Sequence, residues 1–169
     1  MPSTIYHLPS TPHRVIAIDP GYERLGVAVV ERVSGKEHLL YSDCLQTPKG
    51  DFEQRLLKLG VAFTALIKEW QPQAFAIEKL FFATNQKTAL GVAEVKGMLS
   101  YLAALHNLSY SEFTPLQVKV AVTSYGRADK KQVIDMLHRL VPITKKIRYD
   151  DEYDAIAIAL TYLASVRPS

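Results

Sequence analysis

Apolar residues follow two rhythms along this chain. In the first third they come in short dense blocks. Residues 14–18 and 25–31 are rich in Val, Ile and Ala, and Asp19-Pro20-Gly21 stands between them. Such blocks bounded by turn residues predict strands, here a β-hairpin with a longer turn. Residues 38–45, after Ser34-Gly35, read as a third strand, so the three form an antiparallel meander. From residue 51 the spacing lengthens. Phe52, Leu56, Leu59, Phe63, Ile67 and Trp70 recur at helical intervals, predicting an amphipathic helix over 51–70 with Asp51 as N-cap and Pro72 as its stop. Residues 75–80 then read as a short buried strand and 84–106 as a long helix. A fifth strand follows over 108–113, and three helices over 115–122, 129–141 and 150–166. Gly91 and Gly97 lie inside the long helix, where glycine is unfavourable, and predict close packing there.

The order β-β-β-α-β-α-β-α-α-α predicts an α/β fold. Three antiparallel strands followed by helix-linked parallel strands make one mixed five-stranded sheet with helices on both faces. Residues 1–13, polar and proline-containing, read as a flexible N-terminal extension, and 14–169 as a single domain.

Composition adds bounds. With 48% hydrophobic and 22% charged residues the chain is ordinary for a soluble globular protein, and no apolar run approaches the roughly 20 residues that span a bilayer. The single cysteine, Cys44, excludes an internal disulfide framework, fits a reducing cytoplasm and reads as a small buried apolar residue. Net charge is only +3, but Lys119, Arg127, Lys130, Lys131, Arg139, Lys145, Lys146 and Arg148 cluster late, opposed between residues 117 and 148 by Asp129 and Asp135 alone. Such a basic surface can neutralise phosphates; a solvated helix face is the plainer reading.

Four acids carry the candidate chemistry. Asp19 ends the first apolar block, Glu78 ends Ala74-Phe75-Ala76-Ile77, and Asp151 and Asp154 open the apolar stretch 155–164. A carboxylate at the end of a buried strand is costly to desolvate unless something pairs with it. Three such sites far apart in sequence point to one cation that gathers them. Mg²⁺ prefers oxygen ligands, and two such ions about 3.5–4 Å apart stabilise both attacking and leaving oxygens in phosphodiester cleavage. Asp151 and Asp154 share a helix face, but so do Asp150 and Asp154, and spacing leaves both pairs open. Each acid also has a plainer role: Asp19 as a turn residue, Glu78 in an ion pair, Asp150, Asp151 and Glu152 as a helix cap.

The segments Ile16-Ala17-Ile18-Asp19-Pro20-Gly21, Ala76-Ile77-Glu78, Thr114-Pro115-Leu116-Gln117-Val118-Lys119, Ala128-Asp129-Lys130-Lys131-Gln132-Val133 and Asp151-Glu152-Tyr153-Asp154-Ala155-Ile156-Ala157 occur here in order. As an ordered set they resemble the RuvC family of bacterial Holliday-junction resolvases, nucleases with an RNase H-like fold. The resemblance covers essentially the whole chain after His13. It implies that Asp19, Glu78, Asp151 and Asp154 are catalytic and bind divalent metal, two Mg²⁺ ions with Mn²⁺ as a substitute. It selects Asp151 over Asp150. It implies that Lys119 and Lys130 contact DNA phosphate near the cut, and that Phe81, with Phe82 beside it, stacks on or wedges between bases. Asn85 and Gln86 are further candidates for bonds to DNA, with the start of the long helix as the plainer role for Asn85. It further implies a homodimer acting on four-way junction DNA in recombination and repair, with a branch-migration helicase as partner. The long helix over 84–106, with Leu90, Val92, Val95, Met98, Leu99, Leu102 and Leu105, is the candidate dimer surface. Tyr22-Glu23-Arg24-Leu25 departs from the family after Asp-Pro-Gly, where many relatives carry a small or hydroxyl residue. Rival readings are a YqgF-like or other RNase H-like nuclease acting on RNA, a non-catalytic junction-binding module, and a sugar-kinase-like ATPase, for which the chain is too short and lacks a Walker-type loop.

Overall fold

A computed structural model describes residues 12–21, 23–47, 50–80 and 86–166 of the chain. The three apolar blocks are strands β1 (His13–Pro20), β2 (Arg24–Val33) and β3 (Lys36–Gln46). Helix α1 (Phe52–Trp70), strand β4 (Ala74–Glu78), helix α2 (Gln86–Leu105) and strand β5 (Ser109–Phe113) follow. Helices α3 (Pro115–Thr123), α4 (Lys130–Leu140) and α5 (Asp150–Ser165) close the chain.

One five-stranded sheet runs in the order β3-β2-β1-β4-β5. The β1–β2 and β2–β3 pairs are antiparallel, and β4 lies parallel to both β1 and β5. The first strand is longer than its apolar block suggests. Asp19 and Pro20 still pair, with Gly26 and Leu25, so Asp19 is a strand residue and not part of the turn. At the other end His13 belongs to the strand and its ring stacks on Tyr162 of α5.

Side chains alternate across the sheet and build two cores. Ile16, Ile18, Val27, Val29, Phe75 and Ile77 face α1 and α2. Val15, Ala17, Ala28, Val30, Ala74 and Ala76 face α3, α4 and α5. The second face is lined with small residues, and α5 presents Ala155, Ala157 and Ala159 within the same core. Small side chains on both partners let helix and sheet approach closely. Because α5 is buried on nearly all sides from Ala155 to Leu163, it is apolar around its circumference and not along one stripe.

The caps differ in part from expectation. Asp51 precedes α1, but its side chain makes no capping hydrogen bond, and Gln71 in a left-handed conformation ends the helix. Two capping boxes stand later in the chain. Thr114 with Gln117 caps α3, and Asp129 with Gln132 caps α4. A hydroxyl or carboxylate followed three residues on by Gln is the signature of that motif. Gly97 is exposed, and a Cβ built there would meet nothing within 4 Å among the described residues, so the close packing expected at this glycine is not found among them.

Candidate active site

Sheet register sets two acids side by side. Ile18 of β1 lies opposite Ile77 of β4 in a parallel pair, so the next residues, Asp19 and Glu78, stand at one level on adjacent strands. By alternation both share the face of Ala17 and Ala76, toward α5. Gly26, the antiparallel partner of Asp19, shares that face with Ala28 and Val30. A Cβ on Gly26 would stand 1.8 Å from the carbonyl oxygen of Asp151 and 3.2 Å from the nitrogen of Glu152. The missing side chain therefore lets the first turn of α5 settle on the sheet beside Asp19. Asp150, Asp151 and Glu152 form that turn, where the helix dipole favours negative charge.

Three of the four acids are harder to ionise than an ordinary carboxyl. Burial raises the Asp19 carboxyl to about 8, and the charges of Glu78, Asp154 and Asp151 push it the same way, with Lys130 opposing them. Glu78 is raised by burial and by Asp154. Asp154 is raised by burial, against the hydrogen bond and charge of Lys130. Carboxylates that make one another harder to ionise are a site built for added positive charge.

Protein cations hold part of that charge. Lys130 Nζ lies 3.1 Å from both Asp154 Oδ2 and Asp150 Oδ2, and Arg24 Nε lies 3.2 Å from Asp151 Oδ2. For Lys130, burial alone would lower the amine, but its bonds to Asp154 and Asp150 outweigh burial and raise it. With Asp151 turned to Arg24 and Asp154 to Lys130, no group of three or more His, Cys, Asp or Glu side chains stands ready-made around a metal position among the described residues. The donor set still fits a hard divalent cation. All four groups are carboxylates on rigid elements, and Asp151 Oδ2 is buried beside Arg24 without a hydrogen-bond partner among the described residues.

Other expected residues fall in different places. Lys119 sits on α3, two residues past the Thr114–Gln117 box, and makes no ion pair among the described residues. Phe81, Phe82 and Asn85 lie outside the described residues. The basic cluster is partly neutralised. Of its eight members, Lys130 pairs with Asp150 and Asp154, Lys131 with Asp135, and Lys145 with Glu152. Spacing saw only Asp129 and Asp135 as opposing acids because α5 reaches this surface through tertiary folding. Cys44 is buried, and burial followed by the charge of Asp151 pushes its thiol up to about 11, the environment of a small apolar core residue and not of a thiolate.

Two residues that support the site were not visible as such in the sequence. Lys145 Nζ lies 2.6 Å from Glu152 Oε1 and also donates to the Ser42 carbonyl, tying the segment before α5 to β3. Gly26 was hidden inside an apolar block; a glycine within a strand pattern is the signal that marks such an approach.

Over residues 15–162 the chain matches the model of the family described as crossover junction endodeoxyribonuclease RuvC. It belongs to that family. The RuvC of Moorella thermoacetica is 40% identical over 155 residues, covering 91% of this chain and 92% of the relative. That of Campylobacter lari is 38% identical over 154 residues, covering 91% and 98%. Among solved structures, T. thermophilus RuvC in complex with Holliday junction substrate superposes with a TM-score of 0.83 at 29% identity, covering 89% of this chain and 93% of that one. The yeast mitochondrial Holliday junction resolvase Ydc2, 18% identical with a TM-score of 0.70, shares the fold. The family resemblance carried by the ordered motifs is thus borne out, and with it the RNase H-like mixed sheet.

Proposed function

We propose that this chain resolves four-way DNA junctions by metal-assisted hydrolysis, with paired symmetric incisions leaving 5′-phosphate and 3′-hydroxyl ends. One observation supports the chemistry: Asp19 and Glu78 stand at one level on adjacent strands, beside the first turn of α5 that carries Asp151 and leads to Asp154, and burial and these acidic neighbours raise the Asp19 carboxyl to about 8. Membership of a family of crossover junction endonucleases supplies the substrate class.

Divalent-metal dependence goes with this reading, and our choice is two Mg²⁺ ions, with Mn²⁺ as a substitute. Asp19, Glu78, Asp151 and Asp154 are the proposed ligands, and Asp19, flanked by the other three, is the candidate bridging group. Bound there, the ions supply a Lewis acid for attack of water on the phosphodiester and stabilise the leaving oxygen. The chain's own part is to fix the donors. Strands β1 and β4 hold Asp19 and Glu78 at one level, and Gly26 admits the α5 turn that brings the aspartates. Lys130 at the rim and Lys119 on α3 are our candidates for phosphate contacts beside the cut. Phe81, Phe82 and Asn85 remain the candidates for base contacts.

We propose a homodimer through the α1–α2 face. An apolar groove of about 600 Å³ there is lined by Leu56, Leu57, Val61, Met98, Tyr101 and Leu102. Leu57, Val61 and Tyr101 are more than half exposed. Of the apolar residues expected at this surface, Val95 and Leu99 are buried in the core instead. Gly97, which costs a helix about 1 kcal/mol relative to Ala, has nothing within 4 Å of a built Cβ among the described residues, and close approach of a second helix would account for it. A two-fold dimer presents two centres to two equivalent strands. No helix among the described residues is long and apolar enough to cross a membrane. A cytoplasmic location and a branch-migration helicase partner complete the reading.

The deciding experiment maps incisions on a mobile four-way junction, with and without Mg²⁺, beside a linear duplex and an RNA–DNA hybrid. Paired symmetric cuts confined to the junction and dependent on metal support the proposal. Cleavage of the hybrid alone, or binding without cleavage, overturns it.

A further inference from the structure

We infer that Arg24, Arg148 and Tyr149 form a docking subsite for a backbone phosphate of the cleaved strand, immediately beside the carboxylate centre. The inference rests on the junction-cleaving reading and specifies where that strand lies.

Tyr149 is the residue just before α5, two positions from Asp151. Both guanidinium groups sit over its ring, with Arg24 Cζ and Arg148 Cζ each 5.0 Å from the centroid. An aromatic face attracts guanidinium ions and fixes their planes. The same ring thus orients two like charges that repel each other. Their counter-charge is incomplete. Arg24 has one ion pair among the described residues, through Nε to Asp151, and Asp151 is a proposed metal ligand. Arg148 has no carboxylate partner among the described residues. Beside them opens a cleft of about 420 Å³ lined by Glu23, Arg24, Gln46, Thr47, Arg55 and Tyr149. Arg55, buried on α1, lines the cleft wall and donates to Thr47 Oγ1 at 2.8 Å. Glu23 is the acid in that lining.

A planar, permanently charged fork suits a phosphodiester, which it can hold with two parallel bonds. Such contacts carry no sequence information, but they fix the register of a strand. Because Arg24 already touches Asp151, a phosphate held by it lies next to the one that is cut. The departure Tyr22-Glu23-Arg24-Leu25 therefore places a cation at the edge of the metal centre in this chain.

The test is equilibrium binding of a labelled four-way junction in EDTA, followed between about 50 and 200 mM salt, where phosphate contacts set the slope. Arg24→Gln and Arg148→Gln are each expected to weaken binding several-fold and to reduce the salt slope by about 1. Tyr149→Ala should do the same by removing the platform, and Tyr149→Phe should bind as the unaltered chain does. Arg148→Gln removes no ion pair seen among the described residues, so its unfolding midpoint is expected to stay put and binding reports the phosphate contact. Superimposable slopes for Arg24→Gln, Arg148→Gln and the unaltered chain overturn the inference, as does lost affinity with an unchanged slope. If the unaltered chain neither prefers nor cuts the junction, the functional reading fails by itself. A reduced slope on duplex DNA would then still support the phosphate subsite.

Discussion

Gly26 and the carbonyl of Asp151 lie so close that no side chain fits between them, since a Cβ at residue 26 would stand 1.8 Å from that oxygen. The obstacle is backbone, and it can yield only if α5 moves. Gly26→Ala is therefore expected to destabilise the protein by about 3 kcal/mol or more, at the upper end of overpacking costs. Cleavage should fall even at temperatures where the variant stays folded, because Asp151 and Asp154 travel with the helix. Denaturant unfolding and junction cleavage measure the two effects. A variant within about 0.5 kcal/mol of the parent, the range of an ordinary surface change, contradicts this packing.

Asp19 should make metal-free stability depend on pH. Its folded carboxyl is raised to about 8 from the ordinary 3.8, chiefly by burial and then by Glu78, Asp154 and Asp151. A raised group contributes stability that is fully present below the unfolded value and is lost as pH rises through the folded one. The stability of the parent relative to Asp19→Asn is thus expected to fall between about pH 4 and pH 8. Added Mg²⁺ should restore it at the alkaline end, and metal affinity should climb about tenfold per pH unit where one proton is displaced. Melts in EDTA and in Mg²⁺ across that range check both signs. Asp19→Asn should bind the junction but not cut it.

Lys145 and Glu152 form an unequal pair. The Glu152 side chain is 6% exposed and that of Lys145 is 49% exposed. Removing the lysine strands a buried carboxylate, whereas Glu152→Gln leaves only a half-solvated amine. Lys145→Met is expected to cost about 2–3 kcal/mol, below the ~3–5 kcal/mol of fully buried pairs because water screens one partner. Glu152→Gln should cost less. Denaturant midpoints of both variants and of the double variant separate the pair from its surroundings. A larger loss for Glu152→Gln would reverse the assignment.

A charge placed in the α1–α2 groove should separate the protomers. Tyr101 is exposed and lines that groove, so Tyr101→Glu is expected to leave folding intact. Sedimentation should then show a monomer, and junctions should carry single nicks in place of paired cuts. A dimer of unchanged stability would place the interface elsewhere.

The order and type of the elements were legible because periodicity reports burial directly. Alternating or dense apolar blocks gave the strands, and the spacing of Phe52, Leu59, Phe63 and Ile67 gave α1. Asp19 and Glu78 were legible as acids at the ends of apolar runs, whereas spacing left Asp150 and Asp151 both open beside Asp154 and only the family resemblance chose Asp151. The capping boxes at Thr114 and Asp129 were present as patterns too, in segments read for the family resemblance and their lysines and not for capping.

What the chain determined by itself was local: which residues form strands and helices, which faces are apolar, and which acids stand at element ends. Tertiary structure alone decided which charges meet. Arg24 reaches Asp151 across 127 positions (151 − 24) and Lys130 reaches Asp150 and Asp154 only because α5 lies down on the sheet at Gly26. Ion pairs between distant segments leave no periodic trace, since charged side chains sit on surfaces whose spacing is free. Burial constrains every residue of a strand or helix, whereas electrostatic pairing constrains only where two surfaces touch.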